Sequence, residues 1–206
     1  MQYEDEVVGK DAVVVKQGIT ATTQKNNNKK PTTMRSAILL LRDILIAVAV
    51  LVLLLQFFKP TIVFEHSMED TLHPEDYVFL SKRAYVFNEV AFGDIIVFDS
   101  KLLSDRGTPK SLIKRVIGLP DDIIEVRDDA VFRNGEILHE PYVKGDITPG
   151  NMPPVKVPAG SYFVLGDNRA VSLDSRTSEV GFVSEETIRG KVFFRLFPLS
   201  TAGIIR

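Results

Sequence analysis

The stretch SLIKRVIGLP, residues 111–120, places two adjacent positive charges inside an otherwise apolar run. In a β-strand, side chains alternate between the two faces of a sheet, so Lys114 shares a face with Leu112 and Arg115 shares the other with Ile113. Burial of either face therefore buries a charge. An unpaired buried ammonium or guanidinium is costly, and only lysine readily escapes the cost by losing its proton. Lys114 is thus a paired structural charge, an edge residue with a solvated amine, or a neutral lysine.

Similar short runs rich in Val, Ile and Phe recur after residue 60, with Pro and Gly between them. Asn134-Gly135 is typical of a two-residue hairpin turn, and only SEETIR at 184–189 suggests helical turns. Residues 60–206 are therefore predicted to form a mainly β domain. The other runs are TIVF at 61–64, YVFL at 77–80, DIIVFD at 94–99, DIIEVR at 122–127, SYFVLG at 161–166 and GKVFFRLF at 190–197.

Residues 36–58, SAILLLRDILIAVAVLVLLLQFF, form a long apolar segment. As a helix it would be about 35 Å long, which is enough to cross a bilayer, and Arg42 near one end can extend its charge to the interface. A cleaved signal peptide is disfavoured, because no small-residue cleavage site follows the apolar block. A buried core helix would be apolar all round, which a small domain rarely needs. The segment is predicted to be a transmembrane helix.

The charges on the two sides of this helix differ. Six basic and no acidic residues lie between Ala12 and Arg42, whereas acidic residues predominate after the helix. The positive-inside rule therefore predicts a single-pass protein of the plasma membrane, with a cytoplasmic N-terminus and residues 60–206 outside the cytoplasm. Residues 1–35, which include the polar run TATTQKNNNKKPTT, are predicted to be a disordered cytoplasmic tail.

The composition excludes several kinds of site. The chain has no Cys, which excludes thiol catalysis, disulfides and thiolate metal sites. The net charge of −2 gives no indication of nucleic-acid binding. The three histidines lack ligand spacing, so we expect neither a metal nor a cofactor. His66 adjoins Ser67 and would point away from it in an extended chain, which leaves a serine activated by a buried lysine, with Ser67 and Lys114 as candidates.

Four blocks follow one another along the predicted β domain. They are HSMEDTL at 66–72, FGDIIVF at 92–98, IKRVIGLPDD at 113–122 and GDNRAVSLDSR at 166–176. They resemble the boxes S-M-x-P-T-L, G-D-[IV]-[IV], K-R-[VI]-[IV]-G-x-P-G-D and G-D-N-R-x-x-S-x-D-S-R of type I signal peptidases, the Ser/Lys proteases that remove signal peptides from exported proteins. The single predicted anchor and the short stretch before the last box resemble the Gram-positive or cyanobacterial type.

The resemblance implies a role for five residues. Ser67 would be the nucleophile and Lys114 the general base of a membrane-anchored serine endopeptidase. Ser172 would support the dyad with a hydrogen bond to the lysine amine. Asp174 and Arg176 would form an ion pair that holds the last box in place. Arg115, on the opposite face of its strand from Lys114, is expected to tolerate substitution by lysine far better than Lys114 tolerates arginine.

The resemblance also implies a fold and a substrate. The catalytic domain would be an antiparallel β-sheet protein with a small β insertion at about 123–160. Preproteins with small-x-small cleavage sites would bind extended, along a strand edge, in shallow pockets that Met68 and Ile95 are expected to line. The expected partners are these preproteins, the lipid bilayer and the protein-export machinery, with no nucleic acid.

The sequence departs from the family boxes at three positions. Asp70 replaces Pro in the first box, and Asp121 replaces Gly in the third. Glu65 lies where some members place a serine hydroxyl that helps to bind the oxyanion, so the oxyanion hole would depend on backbone N–H groups, chiefly that of Ser67. Three alternatives remain open: an inactive member that acts as a scaffold, a self-cleaving Ser/Lys regulator, and a membrane-tethered β module without activity.

Overall fold

The structure is a computed structural model that describes residues 33–86 and 88–205. Most of the predicted tail therefore lies outside the described residues. Within them, one helix, Thr33–Phe57, is long and apolar enough to span a membrane. No part of its apolar segment is buried by protein. A buried core helix is thereby excluded, and the helix fits a single-pass membrane anchor.

The described residues after this helix form two antiparallel sheets. The strands are β1 Phe58–Ile62, β2 Tyr77–Ser81, β3 Ile95–Leu103, β4 Pro109–Gly118, β5 Ile123–Arg127, β6 Ala130–Arg133, β7 Glu136–Ile137, β8 Met152–Lys156, β9 Ser161–Leu165, β10 Val183–Ser184, β11 Ile188–Phe197 and β12 Gly203–Ile204. The larger sheet has the strand order β1-β2-β11-β3-β4-β9-β10, with β12 paired to β11, and the smaller one has the order β7-β6-β5-β8. The mainly β fold class is confirmed.

Strand β3 is buried on both faces, which explains its continuous apolar run. Ile95 and Val97 point to one side and pack in a cluster that includes Met68. Ile96 and Phe98 point to the other side and pack in a second cluster with the neighbouring strands. The central strands β3 and β4 are thus held between two apolar layers, which makes β4 a rigid support for the side chains it carries.

The smaller sheet, built from residues 123–156, packs against the larger one through an apolar cluster that joins Ile124 to Phe163. Gly118 allows this close approach, because a Cβ atom there would lie 2.8 Å from the Ile124 side chain. The predicted Asn134-Gly135 turn joins β6 to β7, and both residues have positive φ, as such a hairpin requires.

Strand β4 has a free edge at its N-terminal half. It pairs with β3 along this half, from Ser111 to Arg115. On its other side, β9 pairs with β4 only from Arg115 onwards. Among the described residues, no strand therefore occupies the second edge of β4 between Lys110 and Lys114. Backbone groups on this edge can hydrogen-bond an extended peptide, although the carbonyls of Lys110 and Ile113 already accept from Ser100 Oγ and Lys114 Nζ.

Candidate active site

The turn that carries Ser67 follows β1 after three intervening residues, 63–65. Residues His66–Met68 form a single 3-10 turn, in which Ser67 and Met68 are buried. The Met68 side chain packs in the core, and the N–H of Asn168 donates to the Ser67 carbonyl over 3.0 Å. Contacts with both the core and a distant loop therefore hold the Ser67 backbone in place.

The Lys114 amine lies against the Ser67 hydroxyl. Its Nζ is 2.8 Å from Ser67 Oγ and donates to the carbonyl of Ile113 over 3.0 Å. The Lys114 residue is 1% exposed. This burial lowers the pKa of Lys114 to about 8, although the negative charges of Glu65 and Asp174 oppose the shift. At pH 7 a lysine with this pKa is neutral in about a tenth of the molecules, whereas an ordinary lysine is neutral in fewer than about one in a thousand.

The loop after β9 approaches the same place. Asp174 is fully buried and accepts hydrogen bonds from Arg176 Nε over 2.8 Å and from the N–H of Gly166 over 3.1 Å. A Cβ atom on Gly166 would overlap the Ser67 carbonyl and the Ser172 hydroxyl. Position 166 therefore has room only for glycine, and this lets the loop contact the Ser67 turn.

Ser172 does not make the hydrogen bond to Lys114 expected from the resemblance. Its Oγ is buried and has no hydrogen-bond partner among the described residues. The Lys114 amine lies instead between Ser67 and the carbonyl of Ile113, the residue before it on β4. The Ser172 hydroxyl is thus left with unused hydrogen-bonding capacity in the buried site.

Two clefts adjoin Ser67. The first, with a volume of about 310 Å³, lies between residues 61–65 and residues 110–113 and is also lined by Met68. The second, of about 400 Å³, is mainly apolar. Its walls include Phe64, Leu102, Leu112, Val171 and Leu173.

Of the two predicted pocket residues, only Met68 lies on a cleft wall. Ile95 is 3% exposed and packs in the core with Met68. Val97, two residues further along the same face of β3, lines the first cleft in its place. Ile95 therefore lines neither cleft, and β3 reaches the first cleft at Val97 and the second at Leu102.

A family model described as signal peptidase, peptidase S26, matches residues 36–197. The chain belongs to this family of signal peptidases. It is 36% identical over 171 residues to signal peptidase I of Bacillus licheniformis, with 77% of this chain and 88% of the relative covered. It is 40% identical over 165 residues to a probable signal peptidase I-1 of Synechocystis, with 78% and 83% covered. The predicted family and enzyme class are confirmed.

Among solved structures, a signal peptidase I from Enterococcus faecalis V583 is similar to part of this signal peptidase. The sequence identity is 34% and the TM-score is 0.42. The match covers 50% of this chain and 97% of the other.

This signal peptidase also has a buried ion pair that the sequence did not reveal. Arg115 is 2% exposed and binds Asp167 through both Nε and Nη2, at 2.9 and 2.7 Å. The guanidinium also lies 3.9 Å from the centre of the Tyr142 ring. Asn168, the next residue in the same box, donates from Nδ2 to the His66 carbonyl over 3.2 Å. The polar residues of the GDNR box therefore join β4 to the Ser67 turn, and their clustering in one box was the available signal.

The three departures from the family boxes have different environments. Asp70 is exposed. Asp121, at the position of the family glycine, has a φ of 71° and so adopts the left-handed conformation that glycine favours. Glu65 forms an ion pair of 2.5 Å with Lys110 on β4. Each departure is therefore accommodated by local surroundings, and none removes an atom of the Ser67–Lys114 contact.

Proposed function

We propose that this chain is a membrane-anchored serine endopeptidase that cleaves signal peptides with a Ser67–Lys114 dyad. The observation that carries the proposal is the buried 2.8 Å contact between Ser67 Oγ and Lys114 Nζ. Neutral Lys114 accepts the hydroxyl proton as Oγ attacks the scissile carbonyl carbon. The resulting ammonium returns that proton to the leaving amine as the peptide C–N bond breaks. This leaves an acyl-enzyme on Ser67.

The same lysine serves the second half of the reaction. Neutral Lys114 takes a proton from water, which attacks the ester carbonyl, and then protonates Ser67 Oγ as the ester bond breaks. The N–H of Ser67 donates to the oxyanion that forms in each step. Asp174 and Arg176 hold the loop that carries Ser172, whose unpaired buried hydroxyl can accept a hydrogen bond from the Lys114 ammonium formed during the reaction.

The substrate is a preprotein with small residues before the cut. Its cleavage region lies extended against the free edge of β4 between Lys110 and Lys114, with backbone hydrogen bonds to that edge. The side chain next to the scissile bond enters the first cleft beside Met68. A side chain there must fit beside the Ser67–Lys114 contact, which favours small residues.

The helix Thr33–Phe57 crosses the plasma membrane with the N-terminus in the cytoplasm, and the β domain lies outside. Two observations support this: the helix is apolar and unburied, and the basic residues precede it. The anchor keeps the catalytic domain at the surface of the lipid bilayer, where preproteins leave the protein-export machinery. Confinement to this surface raises the effective concentration of enzyme and substrate.

The test is cleavage of a preprotein by the full-length protein in detergent, followed by sequencing of the new N-terminus. We expect one cut after a small-x-small motif and no product from Ser67→Ala. Ser178→Ala, which removes an exposed hydroxyl away from the dyad, is the matched control and should cleave normally. Full activity of Ser67→Ala would refute the dyad. The absence of any product from the unaltered protein would support the scaffold alternative.

A further inference from the structure

One ion pair lies in the clefts beside Ser67. Glu65 Oε1 and Lys110 Nζ are 2.5 Å apart, and their side chains are 42% and 48% exposed. Both residues line both clefts. Glu65 is two residues before Ser67, and Lys110 is four residues before Lys114 on β4, which places the two lysines on the same face of the strand. The ion pair therefore lines the same clefts as Ser67, and both of its charges act on Lys114.

The charged groups that face Lys114 come from three places. Asp167 and Asp174 lie on the loop after β9, Lys110 lies on β4 itself, and Glu65 precedes the Ser67 turn. The two aspartates are fully buried, and each is engaged by an arginine at hydrogen-bonding distance. Glu65 and Lys110 are half-exposed in the clefts, and they act on Lys114 in opposite directions. The negative charge of Glu65 raises the pKa of Lys114, and the positive charge of Lys110 lowers it.

A carboxylate near the nucleophile has a second effect. The oxyanion that forms beside Ser67 is negative, so an unpaired Glu65 would oppose its formation. Lys110 neutralises that carboxylate. A bound peptide would also displace water from the clefts and so strengthen every charge interaction within them.

We propose that Glu65 and Lys110 act as a positioning pair that balances the electric field at the dyad and thereby sets the pH range over which the enzyme works. The proposal rests on the proposed function of Lys114 as the general base. It assigns a role to Glu65 at a position where some family members carry a hydroxyl. The role belongs to the pair, because each charge alone would disturb the reaction.

The experiment measures kcat/KM for preprotein cleavage against pH with the full-length enzyme in detergent. Glu65→Gln should move the rising limb of the profile to lower pH by about half a pH unit. At a fixed pH on that limb, kcat/KM should then rise about threefold. Lys110→Gln should move the limb to higher pH by a similar amount and also lower the plateau. The double variant should return towards the unaltered profile. Asp121→Asn and Lys156→Gln, which break an exposed ion pair between the β4–β5 turn and the smaller sheet, should leave the profile unchanged.

A purely structural role would lower activity in all three variants without moving the limb, and that result would overturn the proposal. Limbs that move in the same direction in both single variants would also overturn it. A second measurement does not depend on activity: the ¹³Cε resonance of Lys114, titrated in a Ser67→Ala background. If Glu65→Gln shifts the titration midpoint of this resonance but does not shift the pH profile of kcat/KM, the proposed function fails. If Glu65→Gln leaves the titration midpoint unchanged, only the ion-pair proposal fails.

Discussion

The chemistry at Lys114 depends on how its charge is solvated. Its amine lies in an apolar sheet beside one hydroxyl and one carbonyl, neither of which compensates an ammonium as water does. The neighbouring Arg115 keeps its buried charge, because a buried carboxylate and an aromatic ring compensate it. Two adjacent cations are thus buried in two ways, and only the first leaves a group that can accept a proton.

We predict that kcat/KM rises with pH through a midpoint near 8, because the neutral form of Lys114 is the base and its pKa is lowered to about 8. Lys114→Arg should be as inactive as Lys114→Ala, with a loss on the order of 10³-fold or more, because a guanidinium cannot accept the proton. Steady-state cleavage rates between pH 6 and 10 test both statements. If the Lys114→Arg enzyme is active, Lys114 is a structural positive charge and not the general base.

The buried contacts of Arg115 predict a cost in stability when it is substituted. Arg115→Lys keeps the charge but loses the two-point contact with Asp167 and the stacking on Tyr142, so we predict a loss of about 1–3 kcal/mol in the free energy of unfolding. Urea unfolding of the full-length protein in detergent measures it. Arg189→Lys, at an exposed ion pair with Asp99, is the control and should change stability little. Equal urea concentrations at the unfolding midpoints of the two variants would contradict the prediction.

At the scale of elements, the site is assembled from a turn, a strand and a loop that contact one another. The Ser67 turn follows an edge strand, Lys114 lies on a central strand, and the loop after β9 contacts both. Gly166 makes the last contact close, because any side chain there would meet the turn. The precision of the site therefore comes from backbone packing between elements as much as from the dyad itself.

The turn between β4 and β5 offers a test of backbone strain. Asp121 has a φ of 71°, which costs an L-residue free energy but not glycine. We predict that Asp121→Gly is more stable than Asp121→Ala by about 1 kcal/mol, as measured by urea unfolding. At Asp105, which is not in this conformation, the order of the glycine and alanine variants should reverse. The same order at both positions would contradict this account.

At the scale of the whole molecule, the chain combines an apolar helix with a β domain that carries the site. The helix is built from residues that bilayer hydrocarbon solvates, and the domain has more acidic than basic residues. The two parts therefore suit different surroundings. Their order along the chain, with basic residues first, is the basis for predicting which side of the membrane receives the domain.

We predict that the β domain is outside the cytoplasm and the N-terminus inside. The chain contains no Cys, so single cysteines can report the topology without background. Asp105→Cys should react with a membrane-impermeant maleimide added to intact protoplasts, whereas Thr22→Cys should react only after permeabilisation. The reverse labelling pattern would overturn the localisation and the substrate that depends on it.

Local pattern in the sequence determined much of this protein. The apolar helix, most of the strands and the Asn134-Gly135 turn depend on residues close together in the chain, so periodicity and turn chemistry predict them. The family boxes also identified Ser67 and Lys114 as the candidate catalytic dyad. These features depend on short-range preferences or on motifs that can be read directly.

Tertiary structure alone decided which atoms meet. Ser67 and Lys114 are 47 residues apart in the chain, and Arg115 and Asp167 are 52 apart, so no local pattern contains either contact. Strand pairing also shifts register between Val116 and Gly118. Small shifts of this kind decide which side chains reach a site, and the burial of Ile95 in the core likewise depends on how the sheet packs. Long-range contacts depend on how whole sheets pack, and packing is a property of all the elements together.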